Sequence, residues 1–150
     1  MADLVVRIPW YLAAIGAALI WGIHYPLIDY ALKRVSLVTV LVLTALPIIA
    51  ATPFFFTRIV SDYHTVLAMH WTERVPVLAL AITSLLATVL LFVSIDNKNA
   101  TLTSLIEISY PIFVALFAFL LFRDVHLNMS ALIGGVLIIV GVGVIVLYNP

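Results

Sequence analysis

The chain has 150 residues, 65% hydrophobic and 9% charged, with seven Lys and Arg against seven Asp and Glu and no cysteine. A water-soluble domain of this size needs far more polar surface, so the solvent for most of the chain is lipid. Balanced charge leaves no nucleic-acid footprint and indicates no acidic or basic partner, and the lack of cysteine excludes disulfides and thiolate chemistry.

The N-terminal MADLVVRIPW leads into an apolar block with no small-residue cleavage site after it, so it reads as a retained span. A hydrocarbon core of about 30 Å needs about 20 helical residues at about 1.5 Å each. Five blocks meet that measure: Trp10–Leu32, Leu37–Phe56, Val77–Ile95, Leu102–Phe122 and Met129–Tyr148. They are continuously apolar instead of alternating in and out, which favours helices over a barrel. The predicted fold is an all-α integral membrane protein with five transmembrane helices in a single domain, residues 1–150.

In the first span Trp21, His24 and Ile28 share a face, and Tyr25 and Pro26 follow His24 directly. Asp29 has Lys33 at i+4, the spacing of an ion pair that eases the helix out of the membrane. The second and third spans carry Pro47 and the hydroxyls of Thr44, Thr83, Ser84 and Thr88, which can bond their own helix backbone. Between these spans lies the one long connection, TRIVSDYHTVLAMHWTERVP. Its Tyr63, His64, His70 and Trp71 suit either the headgroup layer, where amphipathic rings are favoured, or an ordinary exposed loop with a short helix. His64 and His70 are not at the i, i+4 spacing that puts two imidazoles on one helical turn, so no metal is expected.

The fourth block contains TSLIEISYPIF, with a glutamate and a proline four residues apart. Glu107 lies on the order of 9 Å below the membrane surface. An ionised residue near a helix centre costs about 2.5 to 3.5 kcal/mol on insertion scales, so such residues face a protein interior or a water-filled cavity. Thr103, Glu107 and Tyr110 follow i, i+4, i+7 spacing and share a face that should point inward. Pro111 has no N–H to offer the Glu107 carbonyl, which predicts a kink and a polar, slightly unwound spot. His24, at a depth of about 12 Å on the same side, is a candidate partner for sharing a proton with Glu107. The alternative is a protonated Glu107 that only hydrogen-bonds a neighbouring helix.

In the fifth block Ala131, Gly134, Ile138 and Gly141 lie on one face with Gly135 and Gly143 beside it, a small-residue surface for helix packing within one chain or between two. Five spans put the chain ends on opposite sides of the membrane. Arg7, Arg58, Arg74 and Arg123 then fall on the N-terminal side, and Lys33, Arg34 and Lys98 on the other. So small an imbalance gives only a weak preference for a cytoplasmic N-terminus and allows mixed orientation.

Several of these residues match a known pattern: Trp21-Gly22, the Ser36-Leu37 opening of the second span, Pro111 followed by Phe and small residues with Asp124 past the span, and LIGGVLIIVGV from Leu132 to Val142. In these features the sequence resembles the EamA-like transporters of the drug/metabolite transporter superfamily over essentially its whole length. The resemblance implies one five-helix repeat of an inverted-repeat transporter, paired as an antiparallel homodimer or with a second five-helix half. Thr44 stands where the family often has arginine, which weighs against an anionic substrate.

The expected function is a half-size secondary transporter in the plasma or inner membrane, moving a small metabolite or amphipathic compound by alternating access. Glu107, with His24, is the candidate site for a coupling proton or a cationic substrate group. Trp21, Tyr25, Tyr110 and Thr103 complete the candidate site, Pro111 is the candidate kink, and Gly134, Gly135 and Gly141 are the packing residues. Two alternatives stay open, a non-transporting subunit that assembles with another membrane protein and a flippase for a lipid-linked substrate. Without HExxH, GxSxG or cysteine no enzyme is expected, and no cofactor is implied.

Overall fold

A computed structural model describes residues 9–123 and 128–149. Asp124 lies outside the described residues. Helix α1 (Trp10–Leu32) starts on the Pro9 carbonyl, which accepts from the Leu12 and Ala13 N–H groups at 2.9 and 3.1 Å. At its end Lys33 Nζ stands 2.8 Å from Asp29 Oδ1, the ion pair the i, i+4 spacing predicts. Arg34 donates to the Tyr30 carbonyl at 2.8 Å and lays its guanidinium 3.4 Å over the Tyr30 ring, so basic side chains hold the helix C-terminus.

Ser36 caps α2 (Leu37–Ala51): its Oγ accepts from the Thr39 N–H and lies 3.0 Å from Thr39 Oγ1. A 3₁₀ segment, Thr52–Phe55, comes next with Pro53 in its first turn, and Phe55 leaves the helical region at φ −113°, ψ 11°. The chain then forms α3 (Phe56–Ala68), in the stretch where either a headgroup-layer segment or an exposed loop with a short helix was expected. A length ruler built on hydropathy misses this helix because half of its residues are polar, although they recur at helical period. Helix α4 (Trp71–Asn97) begins six residues before the expected third span for the same reason. Glu73 sits in its first turn, where the helix dipole favours an acid.

A two-residue turn, Lys98 and Asn99, leads into α5 (Ala100–Glu107), with Asn99 Oδ1 accepting from the Leu102 N–H at 2.8 Å. After Ile108 and Ser109 the chain resumes as α6 (Tyr110–Phe122), which ends on Arg123 in the left-handed region at φ 58°. Asn128 caps α7 (Met129–Tyr148), its Oδ1 accepting from the Ala131 N–H at 2.8 Å and the Ser130 hydroxyl at 2.7 Å. Among the described residues five helical stretches are long and apolar enough to cross a membrane: Trp10–Leu32, Leu37–Ala68, Trp71–Asn97, Ala100–Phe122 and Met129–Tyr148.

The chain divides into two compact units, Met1–Pro26 with Lys98–Pro150, and Leu27–Asn97. In the first, α5 packs on α7, and Tyr25, Ala100 and Thr103 are buried. Gly135 of α7 faces Ile112 of α6 at ordinary contact distance, whereas Gly134 and Gly141 have open space where a Cβ would point. In the second, α2 and α3 pack on α4 around Ile28, Val40, Phe92 and Ile95. No more than 11% of the apolar window of any spanning helix is buried, so most apolar side chains wait for lipid or another polypeptide.

Candidate functional site

Within the first unit, α1 and the broken pair α5 and α6 enclose a cavity of about 740 Å³. That volume falls in the range of small-molecule sites, about 300 to 1,000 Å³. From α1 it is lined by Ala14, Ala17, Ala18, Trp21, Gly22, Tyr25 and Pro26. These positions recur every three or four residues, so they form one stripe about 18 Å long. Three alanines and a glycine keep the stripe low, and the two aromatic rings rise at one end. Trp21 meets Tyr25 edge to face, with ring centroids 5.7 Å apart.

The opposite wall brings Thr101, Ser104, Glu107, Ile108 and Tyr110 to the cavity. Its geometry arises from Pro111. In a continuous helix the Glu107 carbonyl would accept from residue 111, and proline has no N–H to give. The chain shifts to shorter bonds there, Ser109 N–H to the Ile106 carbonyl and Ile112 N–H to the Ser109 carbonyl, both 3.1 Å. Pro111 thus occupies the first turn of α6, where a missing N–H does no harm. The break falls at Ile108 and Ser109, three and two residues before the proline that causes it. Pro26 acts likewise on the other wall, removing the donor that would reach the Gly22 carbonyl. Glycine has no side chain, so Gly22 meets the cavity through its backbone.

Trp21, Tyr25, Glu107 and Tyr110 therefore come together, whereas His24 and Thr103 are not in the lining. The imidazole of His24 is half-buried and sits edge to face with Trp21, ring centroids 5.2 Å apart. Thr103 is buried at 5% exposure. Thr103 and Glu107 lie together in α5 ahead of the break, but the arc facing the cavity is centred on Thr101, Ser104 and Ile108, so Glu107 falls at its edge and Thr103 just beyond it. Residues missed from sequence are Thr101, Ser104 and the run of small residues on α1; the i, i+3, i+4 recurrence of alanine and glycine was the available signal.

Polarity elsewhere in the spans is turned inward on its own helix. Thr44 donates to the Leu41 carbonyl at 2.9 Å, Thr83 to Ala79 at 2.9 Å and Thr88 to Ser84 at 2.8 Å. Glu107 is the only Asp, Glu, Lys, Arg or His in the cavity lining. Among the described residues no group of three or more His, Cys, Asp or Glu is placed to hold a metal ion.

The model of the EamA-like transporter family matches residues 8–147. No curated protein and no solved structure matches the chain.

Proposed function

Because the chain belongs to the EamA-like transporter family, a family of multi-pass membrane proteins of the drug/metabolite transporter type, we propose that it is one five-helix half of a secondary transporter carrying a small metabolite or amphipathic compound by alternating access. The observation that carries this reading is the cavity between α1 and the broken α5–α6 pair, with one carboxylate among three aromatic rings and no cationic side chain. Such a lining accepts a neutral or cationic molecule and repels an anion. Glu107 takes either the coupling proton or the ammonium of the substrate, and Trp21, Tyr25 and Tyr110 offer ring faces to a cation or an apolar body. The carbonyls of Gly22 and Glu107, relieved of their helical donors, are acceptors for substrate N–H or O–H groups. His24, packed on Trp21, positions that ring.

One such half supplies only one repeat of the two that an inverted-repeat transporter sets around its substrate. The proposed assembly in the cell membrane is an antiparallel homodimer, or a pair with a separate five-helix half. The near-even Lys and Arg count and the large unburied apolar surface support it. Purified chain in proteoliposomes should move hydrophobic amines or neutral metabolites when a proton gradient is imposed, and Glu107→Gln should cut that movement about 10- to 100-fold while leaving insertion intact. Inactivity of correctly inserted wild-type chain across such a panel would turn the assignment toward a non-transporting subunit. Single cysteines at Ser61 and Asn99, labelled in intact cells with an impermeant reagent, test the pairing. Comparable labelling of both supports the antiparallel homodimer; labelling of one alone requires a separate, oppositely inserted half.

A further inference from the structure

Fifteen α-helical residues in α2 and the four 3₁₀ residues after them rise together about 30 Å, the full thickness of a hydrocarbon core. The second crossing is therefore complete at Phe55, where the backbone leaves helical geometry. Helix α3, beyond that point, has a two-sided character that the spanning helices lack. On a helical projection at about 100° per residue, Phe56, Ile59, Val60, Tyr63, Val66 and Leu67 fall within an arc of about 120°, and Arg58, Ser61, Asp62, His64 and Thr65 take the rest. Arg58 and Asp62 pair across one turn of the polar side at 3.9 Å. The apolar arc remains mostly uncovered: Phe56, Ile59, Val60, Tyr63 and Leu67 are all exposed.

We propose that α3 is an in-plane helix that lies at the membrane surface with its apolar face sunk into the boundary between headgroups and acyl chains. Three observations select lipid as the occupant of that face. Continuity is the first, since α3 issues directly from a spanning helix at the point where the core ends. The second is the side on which the junction opens. Ile49, Thr52, Pro53 and Phe56 line a hollow there, with Phe56 on the apolar face of α3 and Ile49 on the exposed side of α2. Through that hollow the apolar face of α3 runs into the exposed apolar side of α2, so lipid that covers the one reaches the other. The third is the anchor at the far end. Arg74 of α4 donates through its guanidinium to the Leu67 carbonyl and, at 3.0 Å, to the Met69 carbonyl, tying the last turn of α3 to the start of α4. Trp71, exposed beside that turn, is a residue type enriched at membrane interfaces. A helix held at both ends at the membrane surface has one apolar solvent within reach, the upper acyl region.

The test places single cysteines on the full chain at Ile59 and Val60 on the apolar face and at Ser61 and Thr65 on the polar face, each labelled with a small fluorophore in phosphatidylcholine vesicles. A nitroxide high on the lipid acyl chain should quench the probes at Ile59 and Val60 roughly twofold or more above those at Ser61 and Thr65, with aqueous iodide giving the reverse order. Equal lipid quenching on the two faces would overturn the proposal, because α3 would then stand free in water. Protection of Ile59 and Val60 from both quenchers would overturn it as well, because protein would then cover the face. Two positions per face keep the reading sound if one variant fails to fold.

Discussion

The fourth and fifth spans are each at least twenty residues of nearly unbroken apolar sequence, yet one divides into α5 and α6 while the other, α7, runs through from Met129 to Tyr148. The residue expected to weaken a helix is glycine, and α7 holds four of the six glycines in the chain. It stays whole because glycine keeps its N–H, and in lipid every backbone donor and acceptor is driven to pair within the helix. The fourth span breaks because Pro111 removes a donor outright. Proline is not sufficient, since Pro26, Pro47 and Pro76 sit inside helices that continue. The break at Pro111 borders a cavity, where irregular backbone is tolerated at membrane depth, but Pro26 lines the same cavity in an unbroken α1, so the cavity permits the break without dictating it. One span is built for contact and the other for a local opening.

The largest effect should come from Glu107→Gln. Hydrogen bonds to charged groups contribute about 1.5 to 3 kcal/mol, so transport should fall about 10- to 100-fold, read in proteoliposomes as initial rate. A rate within a factor of about two of wild type would reduce the contrast between the spans to one of shape alone. Pro111→Ala restores the donor to the Glu107 carbonyl and should make the fourth span resemble the fifth. Helix content by circular dichroism and thermal stability in detergent should hold or rise, while transport falls several-fold, on the order of 1 kcal/mol. Unchanged transport would mean that the opening serves no purpose.

Smaller effects separate the two spans by their starts. Asn99→Ala and Asn128→Ala remove equivalent caps, each costing about 1 kcal/mol in thermal unfolding. The Asn99 change should also lower transport, because it loosens the helix that carries Glu107, whereas the Asn128 change should not. The smallest effect expected is at Gly134 and Gly141, where a Cβ meets open space. Alanine there should leave the isolated chain unharmed or raise its stability by up to about 1 kcal/mol. A loss of dimer in crosslinking would instead mark that face of α7 as a contact between chains.

The sequence made the spans legible because lipid imposes one rule everywhere, and the ends of α1 and α7 fall where the length ruler put them. It was less informative where two rules compete. Residues 57–68 are too polar to register as a span and helical enough to form α3, so only periodicity could have found them. Glu107 stands out in the sequence because burying a single charge at membrane depth is costly whatever its neighbours are. Thr103 depended on where the cavity-facing arc of α5 is centred and His24 on which helices adjoin, and neither is written in local spacing.

Arg123 ends α6 with positive φ, a conformation that glycine adopts freely and that costs an arginine about 1 kcal/mol. A more comfortable residue would also be uncharged, and on the proposed five-span topology Arg123 is one of four cationic side chains, with Arg7, Arg58 and Arg74, set against Lys33, Arg34 and Lys98. Replacing it with glycine should firm the fold and at the same moment erase the only imbalance the insertion machinery can read. On that topology the strained residue would act before folding is complete, as a vote on which way round the chain is born.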